Sequence, residues 1–351
     1  MRAMELSHPG PRAADGRARL VEVVRPDPVP GPGEVLIDVT ACAVCRTDLQ
    51  IVGGDLVARR LPIVPGHQVV GRISGRGPDV DPVGHPIGSR VGVAWIAAAC
   101  GHCRFCRSGR ENLCVELRFT GWDRDGGYAD RVTARADFTY ALPDGFDDLR
   151  VAPLLCGGAI GHRSLRIAGV DPTDPGRAAG QRLGLYGFGA SATCVIQEAV
   201  HLGCEVHVAT RSPAEQERAL ALGATSVGGY DDPPPRPLDA AITFAPVGAV
   251  VVAALRAVDR GGTVAINAIH LDHVPELDYD DLWLERSLRS VANVTRADVV
   301  EFLEVAAAIP VETRIEVFPL DEADEVLQRL EAGAISGAAV LQPPTDGGHR
   351  P

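Results

Sequence analysis

Arg182-Leu-Gly-Leu-Tyr-Gly-Phe-Gly-Ala-Ser-Ala192 decides the fold. Arg182 to Gly187 reads as a short apolar strand entering a glycine turn, and Ala190 to Leu202 can follow as a helix. A dinucleotide fingerprint needs strand, glycine turn and helix in this order. Its glycines permit a tight turn and close backbone approach, and the third is replaced here by Ala192, which the motif tolerates. Such a turn, built from Gly187, Gly189, Ala190 and Ser191, would present backbone N–H groups and a helix N-terminus to a pyrophosphate. A glycine pattern alone is weak evidence, so its weight depends on the segments around it.

Downstream the rhythm continues. Glu205 to Thr210 is strand-like, Pro213 opens an alanine-rich helix, and Leu238 to Phe244, Gly248 to Val258 and Gly262 to Ala268 read as strand, helix and strand. Proline suits an early helical position, where its missing N–H costs little. Repeated β-α-β units imply a parallel, doubly wound α/β sheet over residues 153–290. The proline-rich stretch Asp231 to Pro237 is a stiff loop within it, because the alternation resumes beyond. Upstream, residues 1–152 hold short β-prone runs between Gly and Pro, among them Glu34 to Val39, Val69 to Ser74 and Arg90 to Trp95, and predict an irregular β domain. The tail, 291–351, carries a helix from Glu322 to Ala332 stopped by Gly333, then a strand from Gly337 to Leu341.

Composition narrows the function. The 351 residues exceed one comfortable core, and 46% hydrophobic with 23% charged is ordinary for a globular protein. A net charge of −12 disfavours phosphate backbones and anionic lipid as partners. All 34 basic residues are arginine, which excludes a Schiff-base, P-loop or general-base lysine. The opening residues lack a basic-then-apolar signal, and the longest apolar run, Ala240 to Leu255, is shorter than the roughly 20 residues of a membrane span. A cytoplasmic protein is expected; nine cysteines is an odd number for a full disulfide set, and in a reducing compartment clustered cysteines point to metal.

Cys100, Cys103, Cys106 and Cys114 form C-x2-C-x2-C-x7-C, within a lobe at about residues 98–116. Four thiolates suit a tetrahedral Zn²⁺ with no open position, hence a structural one. An iron–sulfur run would bring its fourth cysteine after three residues and before proline, whereas Cys114 follows after seven and precedes Val115. A nucleic-acid-binding zinc ribbon is opposed by the acidic balance. Cys45, His67 and Cys156 lie far apart in sequence, and each alone reads equally as core or surface; Cys42 and Cys45 could also be a redox C-x-x-C pair. Together, two thiolates and one imidazole can hold Zn²⁺ with a fourth position left for water or substrate.

Cys45-x-Thr47-Asp48, Gly66-His67, the four-cysteine lobe, Cys156, the glycine turn and the closing Gly337 to Leu341 occur in the order and approximate spacing of a known family. The sequence resembles, over nearly its whole length, the zinc-dependent alcohol dehydrogenases of the medium-chain dehydrogenase superfamily. The resemblance implies a GroES-like β domain carrying catalysis, a Rossmann domain, and a C-terminal segment that returns to the first. It implies Cys45, His67 and Cys156 as ligands of a catalytic zinc, a second zinc in the lobe, Asp48 orienting His67 from behind and Thr47 bonding the substrate hydroxyl. Cys42 would simply pack nearby. It also implies a homodimer or homotetramer.

Two positions depart from the family. Gln68 follows the motif His where Glu is usual; its amide can approach the metal but brings no charge. Gln50 stands where many relatives pass the alcohol proton to solvent through His, so water, the cofactor ribose or another base must serve. At the end of the second Rossmann strand, an acid usually holds the ribose 2′-hydroxyl of NAD. Here Thr210, Arg211 and Ser212 stand instead, with Glu205 at the strand's start pointing away. Arg211 can pair with a 2′-phosphate and the two hydroxyls can add donors, which favours NADP(H) over NAD(H); a solvated loop charge is the bland alternative. Trp95, Trp122 and Leu56 would wall an apolar pocket, Trp122 being equally at home in the core, and such a pocket suits a primary alcohol or aldehyde rather than an acid or sugar phosphate. The rivals are a zinc-free quinone or enoyl reductase, which lacks the ligand trio, and a non-catalytic NADP(H)-binding sensor.

Overall fold

The computed structural model describes residues 1–11, 18–309 and 311–344. Among these the chain divides into two compact units. The first takes in Met1–Cys156, Val294–Leu303 and the stretch from Thr313 onward; the second takes in Gly157–Asn293 and Glu304–Glu312. The division therefore falls after Cys156 instead of after residue 152. Residues 304–312, expected to return with the tail to the first domain, go with the second. The end of that tail, 345–351, lies outside the described residues.

The first unit is built on a seven-stranded sheet. Its path runs Ile315–Pro319, Ala338–Gln342, Glu34–Val44, Gln68–Arg76, Arg90–Val93 and Thr139–Ala141, with Arg131–Arg135 also pairing with Glu34–Val44. Along Glu34–Val44, Val35, Ile37, Val39 and Ala41 turn inward at the two-residue period of a strand, and from Ala41 to Val44 every residue is buried. That buried end is clasped on both sides. It pairs antiparallel with Ala338–Gln342 (Val340 opposite Ala43) and with Gln68–Arg76 (Ala43 opposite Gln68). In an antiparallel pair the residue leaving one strand sits beside the residue entering the other. Register thus delivers Cys45 next to His67.

Cys156 arrives by a different route. Asp148 heads the short helix Asp148–Val151 and accepts from Arg90 Nε and Thr40 Oγ1, each at 2.6 Å. The same guanidinium donates to the carbonyls of Pro143 (2.9 Å) and Phe146 (2.7 Å), anchoring the preceding loop. From Val151, the end of the helix, through the following turn Ala152–Leu155 every residue is buried, and the turn ends at Cys156.

The second unit is a six-stranded parallel sheet in the order Ser226–Gly228, Glu205–Ala209, Arg182–Tyr186, Leu238–Thr243, Val258–Ile266 and Ser287–Ser290. This is the doubly wound Rossmann arrangement. Strand order reverses beside Arg182–Tyr186, so the crevice at its carboxyl end, just before Gly187, is where such folds bind ligands. The helix Ala190–His201 buries Ala192, Val195, Ile196 and Ala199 at helical spacing against the sheet. No helix among the described residues is long and apolar enough to cross a membrane.

Candidate active site

Cys45 caps the helix Arg46–Gly53. Its Sγ accepts from the Thr47 N–H at 3.2 Å, while Asp48 Oδ2 accepts the Cys45 N–H at 2.9 Å, a reciprocal capping box with a thiol in the usual hydroxyl place. The other Asp48 oxygen lies 3.0 Å from His67 Nδ1, which turns Nε2 toward Cys45 Sγ at 3.4 Å. Asp48 is fully buried and His67 almost so. The ligand atoms of Cys45, His67 and Cys156 all lie within 4.8 Å of one another. Zinc bonds of ~2.3 Å to sulfur and ~2.1 Å to nitrogen, at tetrahedral angles, separate ligand atoms by roughly 3.5–3.8 Å. The trio therefore fits a zinc ion and could supply three of its four ligands.

Protonation follows the same geometry. The Cys156 thiol donates toward Cys45, which holds Cys45 well below the usual thiol range despite burial. That hydrogen bond and burial push Cys156 up in turn. Burial pulls His67 down, but the Asp48 carboxylate and Cys45 thiolate outweigh it and raise the imidazole to about 10. Without a metal, one thiolate is thus surrounded by protons that a dication can replace.

Thr47 is buried beside Cys45, and Gln50 is half-buried on the same helix. Gln68 is buried, with its Nε2 donating to the Ala43 carbonyl of the neighbouring strand at 3.3 Å. Cys42 is wholly buried, as a packing cysteine would be. Trp95 meets the His67 ring edge-on at a centroid distance of 4.8 Å and stacks on Phe119 (4.9 Å) and Trp122 (5.9 Å). Trp122 is half-buried, its indole N–H donating to the Val57 carbonyl at 3.1 Å, and Leu56 packs against the same core. Sequence reading missed Phe119 and Arg59. The Arg59 guanidinium lies 4.1 Å from the Trp122 ring centroid, and Asp123 neutralises it at 3.2 Å. The aromatic wall accordingly carries a cation that the sequence did not announce, already engaged by a carboxylate.

In the lobe, the sulfurs of Cys100, Cys103, Cys106 and Cys114 also lie within 4.8 Å of one another, with Cys103 to Cys106 at 3.6 Å and Cys100 to Cys106 at 3.9 Å. Backbone N–H groups of Cys103, Cys106 and Cys100 point at the sulfurs of Cys100 (3.3 Å), Cys103 (3.5 Å) and Cys114 (3.4 Å). Hydrogen bonding from the Cys106 N–H lowers Cys103 to about 6, and burial pushes Cys106 up to about 12. Four sulfurs, already given amide donors, fit a closed zinc site.

In the second unit Gly187 takes φ +94°, and a Cβ there would stand 3.0 Å from the Ala245 nitrogen, so only glycine makes this turn. Gly189 and Ala190 are exposed, Ser191 is half-exposed, and no side chain caps the helix that starts at Ala190. That leaves amide donors for an anion. Beyond the second strand Arg211 is exposed, 5.9 Å from the Tyr230 ring centroid. Thr210 corrects an expectation: it is buried, and its hydroxyl gives its one proton to the Glu215 carboxylate, leaving none for a 2′-phosphate. Ser212 caps the helix Pro213–Ala221, accepting the Glu215 N–H at 3.3 Å. The signal for Ser212 was present, since Ser212-Pro-Ala-Glu215 has the spacing of a capping box. Glu205, at the strand's start, pairs with Arg236.

Known proteins share this organisation. Residues 31–144 match the alcohol dehydrogenase GroES-like domain. The "Probable alcohol dehydrogenase AdhA" of Mycobacterium tuberculosis (strain CDC 1551 / Oshkosh) is 47% identical over 345 residues, 97% of either chain. An alcohol dehydrogenase of Geobacillus stearothermophilus is 33% identical over 88% of this chain and 91% of its own. The cobalt- and zinc-bound thermostable alcohol dehydrogenase from Pyrobaculum aerophilum is similar in structure, with a TM-score of 0.82 at 26% identity over 98% of this chain and 99% of that one.

Proposed function

The chain belongs to the zinc-type medium-chain alcohol dehydrogenase family, and on that footing we propose that it moves a hydride between NADP(H) and a primary alcohol or its aldehyde, at a zinc ion held by Cys45, His67 and Cys156. The observation that carries the reading is the meeting of two sulfurs and one imidazole from remote segments, with Asp48 bonded behind the imidazole. Zinc bound there supplies Lewis acidity toward the substrate oxygen, and the nicotinamide supplies or accepts the hydride. A second zinc in the four-cysteine lobe is structural.

The chain's own residues do the rest. Asp48 fixes the His67 tautomer by accepting from Nδ1, which leaves Nε2 free to bind a metal. Thr47, next to Cys45, takes the hydrogen bond of the substrate hydroxyl. Gln50 cannot titrate near neutrality, so the proton leaves through water or the cofactor ribose. Trp95, with Trp122 and Leu56 beside it, excludes water and favours an apolar substrate body. Gly187, Gly189, Ala190 and Ser191 hold the pyrophosphate on amide donors, and Arg211 binds the 2′-phosphate. A soluble cytoplasmic homodimer or homotetramer with no nucleic-acid or membrane partner completes the reading.

Metal analysis and one substrate screen test it. Two zinc ions per chain are expected, and Cys156→Ser should remove one of them together with turnover of aliphatic and aromatic aldehydes by NADPH. Turnover surviving that substitution would break the ligand assignment. Cofactor binding without turnover would indicate a sensor, and chelator-insensitive reduction of quinones a zinc-free reductase.

A further inference from the structure

Tyr128 is among the largest wholly buried side chains of the described residues, and the backbone around it is pared to glycine. Residues 126–128 run beside 64–66, with N–H donation from Gly126 to Val64 (2.7 Å), Gly127 to Gly66 (2.8 Å) and Tyr128 to Pro65 (3.0 Å). A Cβ on Gly66 would fall 2.3 Å from the Tyr128 ring; one on Gly126 would fall 2.0 Å from the Gly66 carbonyl oxygen. One on Gly127 would press on Val69 at 2.5 Å and on Cys42 Sγ at 2.9 Å. These absences let the phenol lie against the residue that precedes His67. Its hydroxyl is sealed from water and makes no hydrogen bond of good geometry. It faces Asp48, Cys42 and Cys45, and a phenol, ordinarily protonated up to about pH 10, is there a donor.

Asp48 has room for it. Its carboxylate accepts one bond from His67 and one from the Cys45 N–H, while a carboxylate offers about four acceptor positions. The Cys42 thiol is a much weaker acceptor, and burial keeps it protonated. An enclosed hydroxyl without a partner is costly, and a charged acceptor is the strongest partner it faces.

We propose that Tyr128 is a positioning residue of the metal centre: its hydroxyl donates to the Asp48 carboxylate and thereby holds that carboxylate against His67. The proposal rests on the reading of Cys45, His67 and Cys156 as zinc ligands. Tyr128→Phe keeps the ring that fills the glycine notch and removes only the donor.

The test is zinc affinity at this centre, measured by chelator competition in the full chain, in the parent, Tyr128→Phe, Asp48→Asn and the double variant. Tyr128→Phe should weaken binding about tenfold, the low end of what supporting residues around a metal contribute. The lobe zinc should hold as before, and thermal stability should fall modestly, as the loss of one buried bond to a carboxylate requires. In the Asp48→Asn background the same change should cost less than about twofold, the signature of coupled residues. Unchanged affinity in Tyr128→Phe, or a full loss in both backgrounds, would overturn the proposal. A parent chain binding only the lobe zinc would defeat the ligand reading, and this inference would fall with it. A parent binding two with an indifferent Tyr128→Phe would retire the tyrosine alone. Should Tyr128→Phe not fold, the parent is labelled at tyrosine ¹³Cζ and compared with Asp48→Asn. One of the five tyrosine signals should move, and none moving overturns the proposal.

Discussion

Asp48→Asn is a sharp test of the metal centre because it changes charge without changing shape. Each carboxylate oxygen accepts one bond, Oδ1 from His67 at 3.0 Å and Oδ2 from the Cys45 N–H at 2.9 Å. A carboxamide has one oxygen and one NH₂, so it can serve only one donor and must set a donor against the other. Water cannot repair the loss, since Asp48 and His67 are sealed in the core. A hydrogen bond to a charged group contributes about 1.5–3 kcal/mol, so losing one predicts zinc affinity lower by roughly 10- to 150-fold. His67, raised to about 10 in the metal-free chain with Asp48 as the largest raising influence, should also titrate at markedly lower pH in the variant. Chelator competition reads the first and NMR of the imidazole the second. A loss below about threefold, less than one such bond is worth, would refute the argument. Equal weakening of both zinc ions would do so as well, because the lobe shares no residue with Asp48.

Arg211→Ala should lower kcat/KM for NADPH by at least about tenfold, the loss of a charge-assisted bond to phosphate, and leave NADH within about twofold. Steady-state rates with both cofactors decide it, and a parallel fall would rule Arg211 out as the phosphate ligand. Asp148→Asn should destabilise the protein by about 1–3 kcal/mol near neutrality by weakening the bonds from Arg90 and Thr40. Burial raises the Asp148 carboxyl, yet those two donors hold it below its ordinary 3.8. Stabilisation from a depressed carboxyl is complete above the unfolded value and disappears as pH falls toward the folded one. The stability gap between parent and variant should therefore narrow as pH falls below the ordinary 3.8, and a gap that does not narrow would mean the carboxylate charge is not responsible.

The Rossmann unit was legible because its signals are local. Strand, Gly187 and helix are consecutive, and the runs at 205–210, 238–244 and 262–268 each announce themselves as short apolar strands. The two edge strands Ser226–Gly228 and Ser287–Ser290 were not, being short and at most half-buried, without a clear apolar face. In the first unit the ligand types could be named, but the register that brings Cys45 to His67 could not. It depends on Ala43 standing opposite Gln68 across the sheet. Arg59 and Phe119 reach the aromatic wall through tertiary packing, with no sequence signature of their own. Gly126-Gly-Tyr128 drew no reading of its own, and its tyrosine matters only because missing side chains at Gly66, Gly126 and Gly127 let it in. Thr210 went astray because its hydroxyl reaches the Glu215 carboxylate five residues on, a contact that no sequence spacing announces.

The lobe sulfurs carry a consequence for handling and ageing. With Cys103 at about 6, a lobe that holds no ion keeps a standing thiolate at neutral pH, 3.6 Å from the Cys106 sulfur. Thiolates are the species that peroxide and alkylating reagents attack, and two neighbouring sulfurs readily close into a disulfide once one is oxidised. Demetallation under air would therefore become irreversible unless a reductant returned before fresh ion. Iodoacetamide incorporation could date the moment at which each molecule lost its guest.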